Sequence, residues 1–369
     1  MAKEVMEPKT EAQAVLWGPR TTRWLARSRA GAMKYQEARL HPLMFDALAM
    51  TYKARIATHR ALDQVTSADK LKTQILTEIL SGQWKEQMVV DPLSSPFGEA
   101  VLDNFNEILE GRVRQLLGIS PDDPEQEHIS ENPLTGADYY LVASRLAMLI
   151  SLKDLESTLL ELERLVLRKF LEIEMSLSVG DNELAPSVKS IRQNICRQFK
   201  SFGGTAERHL RQIKATKERL LEMPLSESVG FCKIFARELS IVSGLKLLPG
   251  ESVESGKICE SALIDIAQVA AAQKQLALEL VRLCRAYIGV EEEFTEPAVL
   301  KSFKDTLHLA CIRVQAEENQ VTLALETHLG PSACPALTIA CQSILTAADA
   351  LKSSIRSFNH GYVAKAILR

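Results

Sequence analysis

Residues 137–177, ADYYLVASRLAMLISLKDLESTLLELERLVLRKFLEIEMSL, decide the fold class. The run holds neither glycine nor proline, and its apolar residues fall on more than one side of a helix. A helix apolar on several sides must be covered on several sides. A second run, from Ile258, places Ala262, Ile266, Val269, Leu276, Leu280, Leu283 and Tyr287 at three- and four-residue steps, one face of a helix of about 30 residues.

Outward from these two runs, helical periodicity predicts further helices over Pro42 to Ala61, Ala68 to Leu80, Glu99 to Leu117, Val188 to Leu221, Val299 to Leu325 and Pro335 to Ser357. The breaks fall at Asp91-Pro92, Pro121 to Pro124, Gly180-Asp181, Pro249-Gly250 and Gly330-Pro331. No period-2 strand stands between them. The expected class is all-α, a central bundle of long helices, with more apolar helix surface than one chain covers and therefore an oligomer. Periodicity alone is equally compatible with a monomeric bundle.

Composition narrows the function classes. The chain has 369 residues, of which 46% are apolar, enough for two or three hydrophobic sub-domains. Its 44 basic and 47 acidic side chains nearly cancel, which argues against nucleic acid and against an anionic membrane as partners. Seven cysteines, at 196, 232, 259, 284, 311, 334 and 341, lie singly in apolar surroundings without CxxC pairing, as buried thiols in a reducing compartment do. The first residues, MAKEVMEPKTEAQ, have no apolar core of the signal-peptide kind, and no run of eighteen apolar residues follows. The expectation is a cytoplasmic protein with no membrane segment. GxGxxG, HExxH and GxSxG are absent from the sequence, and no cofactor or metal is expected.

Four pieces, in order, resemble a known family. Leu16-Trp17-Gly18, followed by Thr21 and Arg23, is similar to the LWG-x-Q-T-x-R segment of the class II fumarase and aspartate ammonia-lyase superfamily, with Arg20 in place of Gln. Asn104-Phe105-Asn106-Glu107-Ile108-Leu109, then Arg112 and Leu116-Leu117-Gly118, resembles the N-x-N-E-V-I-x-x-R helix of that family. Ser243-Gly244-Leu245 resembles its TGL turn before the long central helix, and Leu307 to Leu323 resembles the A-L-T-M-V-C-A-Q-V-x-G-N-D helix. The resemblance implies a helical three-domain subunit, a tetramer around long helices, and a lyase adding or eliminating water, ammonia or an amine on a fumarate-like dicarboxylate at sites shared between subunits. It also implies domains at 1–134, 135–357 and a residual tail at 358–369, with the C-terminal domain shortened.

The catalytic loops of the family are where this sequence departs from it. The T-G-S-G-T loop aligns on Ser95-Pro96-Phe97-Gly98-Glu99, and the S-S-N-D loop on Ile129-Ser130-Glu131-Asn132. The T-H element should precede Arg197 and Phe199, where GDNELAPSVKS has no histidine, and His209 reads as a surface residue. The mobile lid, G-S-S-x-M-P-x-K-x-N-P, aligns on residues 291–301, EEEFTEPAVLK. Glu292 and Glu293 stand where the family has serines, Ala298 where it has Lys and Leu300 where it has Asn. The candidate catalytic residues are therefore Glu292, Glu293 and Ser130, and the candidate substrate-binding residues Ser95, Asn132 and Lys301. A buried glutamate can act as a base, but a run of three is more naturally a solvated linker.

Three readings follow. In the first, the chain is a non-catalytic assembly or regulatory relative, forming a homotetramer or a hetero-oligomer with an active relative. In the second, it is a lyase with a remodelled site that takes a small dicarboxylate ligand. In the third, it is a helical interaction protein.

Overall fold

A computed structural model describes residues 15–30, 39–66, 68–95, 98–120, 133–134, 136–179, 186–250, 255–291, 297–326 and 335–359. These carry helices α1 (Pro19–Ala30), α2 (Pro42–Ala61), α3 (Asp69–Leu80), α4 (Glu99–Leu117), α5 (Ala137–Val179), α6 (Pro186–Leu220), α7 (Val229–Ser243), α8 (Ser255–Glu291), α9 (Pro297–Glu326) and α10 (Pro335–Phe358). The predicted all-α class holds, and most predicted helices lie within a few residues of their expected bounds. The helix expected from Ile258 is longer than anticipated, at 37 residues. Two helices escaped the sequence reading, α1 and α7. A pair of two-residue strands, β1 (Glu222–Met223) and β2 (Leu248–Pro249), runs parallel and ties together the two ends of the segment containing α7.

The long helices α5, α6, α8, α9 and α10 pack against one another, and α2 bridges them to the N-terminal helices through contacts with α3, α5 and α7. In α5 every residue from Tyr139 to Leu149 is buried, as its all-round apolar pattern requires. Beyond that point burial narrows to the stripe Leu152, Leu155, Leu159, Leu162 and Val166. Each such leucine removed from water contributes roughly 1.5–3 kcal/mol. On the outer side of the same helix Leu167, Leu171 and Met175, at four-residue steps, are exposed.

The N-terminal helices are held differently, by buried polar side chains of α4. Glu107, 2% exposed, accepts hydrogen bonds from the backbone N–H groups of Gly18 (2.8 Å), Arg20 (2.7 Å) and Thr21 (2.9 Å), the unpaired donors at the start of α1. Arg20 donates to both carboxylate oxygens of Glu110 at 2.8 Å, so the residue that replaces the family's Gln adds an ionic tie to this clamp. Asn104 accepts from Val89 N–H (2.9 Å) and donates to the carbonyl of Gln87 (3.2 Å), whose own side chain accepts from Leu16 N–H. Arg112 donates to Glu78 (3.0 Å) and lies over the Trp84 ring at 5.0 Å. The motif that resembles the family's N-x-N-E helix is thus a set of tethers for segments distant in sequence.

Candidate functional site at the start of helix α5

The N-terminal end of α5 gathers the segments expected to carry substrate groups. Tyr140 lies fully buried against Gly98. A Cβ on that glycine would sit 2.2 Å from the ring, and its φ of +72° is one that side chains rarely adopt, so glycine is required here. Tyr140 therefore fixes how the segment from Asp91 to Gly98 approaches the bundle. Asp91 caps the 3-10 turn Pro92–Ser94, and Ser95, 3% exposed, accepts a hydrogen bond from Ala100 N–H at 2.9 Å. The candidate hydroxyl is thus bonded into the start of α4.

Pro133 and Leu134 are pinned beside it. Arg55 donates to the carbonyl of Pro133 at 2.8 Å. Asn106 exchanges two hydrogen bonds with Leu134, donating to its carbonyl (2.9 Å) and accepting from its N–H (3.0 Å). The guanidinium of Arg55 also covers the Tyr139 ring at 5.1 Å, and the Tyr139 hydroxyl donates to Glu227. Burial pushes the Tyr139 phenol up to about 12 although Arg55 opposes the shift, so at neutral pH this group is a donor and not a base. On the next turn Arg145, 4% exposed at its side chain, donates to the carbonyls of Arg219 (3.2 Å) and Glu222 (3.1 Å) and to Asp265 (3.3 Å). It closes the C-terminus of α6, whose last carbonyls need donors. Burial pushes Asp265 up, against the pull of Arg145 and then Arg219. Cys341, buried beside Ser144, is raised by burial to about 12 and is no nucleophile.

Of the predicted site residues, Ser95 is the one whose side chain the structure describes. Ser130, Asn132, Glu292 and Glu293 lie outside the described residues. Lys301 lies in the first turns of α9, with its side chain outside them. The described helices α8 and α9 are placed by contacts of their own. Asp265 on α8 stands beside Arg145, Gln273 reaches Ile344, and Lys274 pairs with Glu318 of the antiparallel α9 at 2.6 Å. The end of α8 at Glu291 is 26 residues beyond Asp265, roughly 40 Å at 1.5 Å per residue. Within one copy, Ser95 and the described end of α8 at Glu291 therefore lie at opposite ends of the bundle.

Two sequence readings need amendment. His209 is 8% exposed on the inner side of α6 and is not a surface residue; burial lowers its pKa and Glu279 partly restores it. Among the cysteines, Cys232, Cys311 and Cys341 are buried free thiols, whereas Cys196 is half-buried. Sequence reasoning missed Arg145 and Arg55. Arg145 could have been found, because it is the single charge between Asp138 and Lys153 in an otherwise apolar stretch. Among the described residues no cluster of His, Cys, Asp or Glu suited to a metal ion occurs, and no helix is long and apolar enough to cross a membrane.

Five long helices packed along one another define the architecture of the described residues, and known proteins share parts of its sequence and its fold. No protein-family model matches the chain. The chain is 24% identical over 224 residues to the aspartate ammonia-lyase of Bacillus subtilis (strain 168), covering 57% of this chain and 46% of the relative. It is 23% identical over 197 residues to the aspartate ammonia-lyase of a Bacillus species, covering 50% and 40%. The chain thus spans about half the length of the curated relatives it matches. In fold it is similar to the native fumarate lyase:delta crystallin of Brucella melitensis, with a TM-score of 0.73 and 18% identity over 95% of this chain and 85% of the other. It is equally similar to the recombinant class II fumarase of Schistosoma mansoni, at a TM-score of 0.73 and 13% identity over 96% and 82%. Sequence and fold together relate the chain to the fumarase/aspartase superfamily.

Proposed function

We propose that this chain is a fumarase/aspartase-like scaffold without fumarate chemistry, an assembly or regulatory relative that works in the cytoplasm as an oligomer. One observation carries the reading. The first-loop hydroxyl, Ser95, is buried and committed to the start of α4, next to a loop return fastened by Asn106 and Arg55. A substrate carboxylate would have to displace those bonds to reach it. The sequence points the same way, since Glu292 and Glu293 stand where the family has hydroxyl groups and carry negative charge that repels a dianion.

The outer faces of the long helices support the oligomer. Leu309, Ile312 and Leu323 on α9, Ile264 on α8, and Leu167, Leu171 and Met175 on α5 are all more than 40% exposed, an apolar surface that a second copy or an active relative would cover. The free thiols Cys196, Cys232, Cys311 and Cys341 suit a reducing cytoplasm.

The curated relatives are both named aspartate ammonia-lyase, and this favours a second reading, a lyase in which Ser95, Ser130, Asn132, Glu292, Glu293 and Lys301 form a remodelled site across copies. The deciding experiment follows absorbance as the purified chain meets fumarate with ammonia, L-malate, L-aspartate or argininosuccinate, with its mass in solution measured on the same sample. A folded oligomer without turnover is expected. Turnover abolished by Glu292→Gln or Glu293→Gln would replace the scaffold reading with the enzymatic one.

A further inference from the structure

Helix α6 is unlike the rest of the chain in charge. Pro186–Leu220 holds nine lysines and arginines against two glutamates. The helix contributes +7 to a chain whose formal net charge is −3, leaving −10 on the remainder. Several of these cations are engaged at the α8 end of the helix, where Lys217 and Lys214 meet Glu156 and Arg219 meets Asp265. Four of the other six form a line, with Gly204 between them. Arg197, Lys200, Gly204, Arg208 and Arg211 recur at three- and four-residue steps on the exposed side, a stripe roughly 21 Å long at 1.5 Å per residue. Arg211 pairs with Glu207 of its own helix, both side chains being more than half exposed, and Arg208 donates to the Thr205 hydroxyl. A groove of about 300 Å³ opens at the Arg197 end of the stripe, lined by Phe170 and Glu174 of α5 and Gln193, Cys196, Arg197 and Lys200 of α6.

We propose that this face of α6 docks an acidic segment of a partner protein, with carboxylates along the cationic stripe and one apolar side chain in the groove against Phe170 and Cys196. The proposal rests on the assembly or regulatory reading above and names the chemistry of the partner. Charge complementarity selects the occupant: the stripe matches about six or seven residues of extended chain at ~3.3 Å each. A nucleic acid is the poorer fit. Its phosphates continue past the stripe onto a surface of net negative charge, whereas a short acidic segment ends within a Debye length of about 8 Å. In the groove, Glu174 offsets one of the two cations, and burial, then Glu174, raise the Cys196 thiol, which therefore stays neutral and serves as a soft lining.

The test measures fluorescence anisotropy of a fluorescein-labelled peptide of eight glutamates ending in leucine, titrated with the full chain. Binding that weakens with added salt is expected, together with a loss of at least about 30-fold in the triple variant Arg197→Glu, Lys200→Glu, Arg208→Glu and less than about 2-fold in Lys153→Glu on the exposed side of α5. Should the triple variant lose its helical circular dichroism, the single variant Arg197→Gln, with an expected loss of about 3-fold, decides instead. Equal binding by the variants, stronger binding of a twelve-nucleotide oligothymidine, or a fall in mass of the triple variant showing that a second copy covers this face would each overturn the proposal. Turnover of a dicarboxylate would sink the scaffold reading and leave the docking result standing. Absent binding without turnover would sink the docking surface alone.

Discussion

The N-terminal helices and the long-helix bundle solve the same problem with opposite means. Around α4, segments far apart in sequence are fastened by a few buried polar side chains, each bonded to backbone that would otherwise be unsatisfied. In the bundle, Leu152, Leu155, Leu159 and Leu162 and their counterparts do the work by area, and polar ties such as Gln273 to Ile344 and Lys274 to Glu318 are added to that packing. The first region is specified by identity, residue by residue; the second by pattern, with many residues interchangeable. That difference explains why α4 carries a motif whose residues can each be given a partner, whereas the resemblance along α9 is one of pattern.

The sharpest way to break the contrast is Glu107→Ala. It removes the acceptor of three backbone N–H groups and a partner of Arg20 at a site 2% exposed. Leaving the three N–H donors without their acceptor costs about 3–5 kcal/mol in sum, while Arg20 keeps its pairing with Glu110. Urea denaturation of the variant should show that loss, and amide exchange should show α1 released first. Stability within 1 kcal/mol of the parent would mean that the clamp is incidental. The pH dependence follows the same group. Burial alone would raise the Glu107 carboxyl, but the hydrogen bonds from Thr21, Gly18 and Arg20 outweigh it and hold its pKa below the ordinary value. Its contribution is therefore complete above the unfolded glutamate pKa, about 4.3, and is lost as pH falls through the lower folded value.

In the bundle the comparable test is Leu155→Ala, at a position with no exposure. A cavity variant of this kind costs about 2–4 kcal/mol, less where neighbours close in. The expected signature differs from that of Glu107→Ala: a cooperative loss across α5, α6 and α8 in hydrogen exchange, with the α1 tether unchanged. Preferential release of α1 in the leucine variant would show that the two regions are one cooperative unit.

How much of this was legible beforehand follows from the same distinction. Helix periodicity located the bundle because burial by area leaves a repeating trace, and α5 betrayed its central place by being apolar all round. Helix α1 left no such trace: it is a mostly polar helix whose position depends on Glu107, 86 residues away from Thr21. The inner placement of His209 was equally hidden, since which side of a long amphipathic helix faces α8 is settled by partners the local pattern does not name. The candidate site was legible only as a set of loops. Ser95 was found as a position, but its use as a helix-start acceptor came from the backbone geometry, and the remaining candidates lie outside the described residues.

A smaller effect is expected where the two ends of the chain meet. His41, which starts α2 by accepting from Leu43 N–H, is 2.9 Å from Asp349 of α10, and Lys352 lies 2.8 Å from the same carboxylate. The hydrogen bond with His41 comes first among the causes that lower Asp349 to about 2, burial opposes it, and Lys352 adds to the lowering. A depressed folded pKa gives stability above the unfolded aspartate value near 3.9, lost between there and about 2. Because the Asp349 side chain is half exposed, Asp349→Asn should cost about 1 kcal/mol or less at pH 7. Comparing denaturation of parent and variant between pH 7 and pH 2 should show the two curves converge; a constant gap would assign the effect to packing.

The smallest change in the stability of the single chain is expected from Leu309→Glu with Ile312→Glu, at positions 66% and 53% exposed on α9. Neither side chain supports the inner stripe Leu307, Cys311 and Val314, so within one copy the substitution should lie inside about 0.5 kcal/mol. The mass in solution should nevertheless fall, because two carboxylates on a surface that another helix covers leave buried charge without a partner. Light scattering on the helical, folded variant separates these quantities. A reduced mass with retained helicity would show that the bundle follows the pattern rule on both its faces, inner for folding and outer for assembly. An unchanged mass would confine the rule to the inner face, and the outer leucines would then be ordinary exposed residues of a single copy.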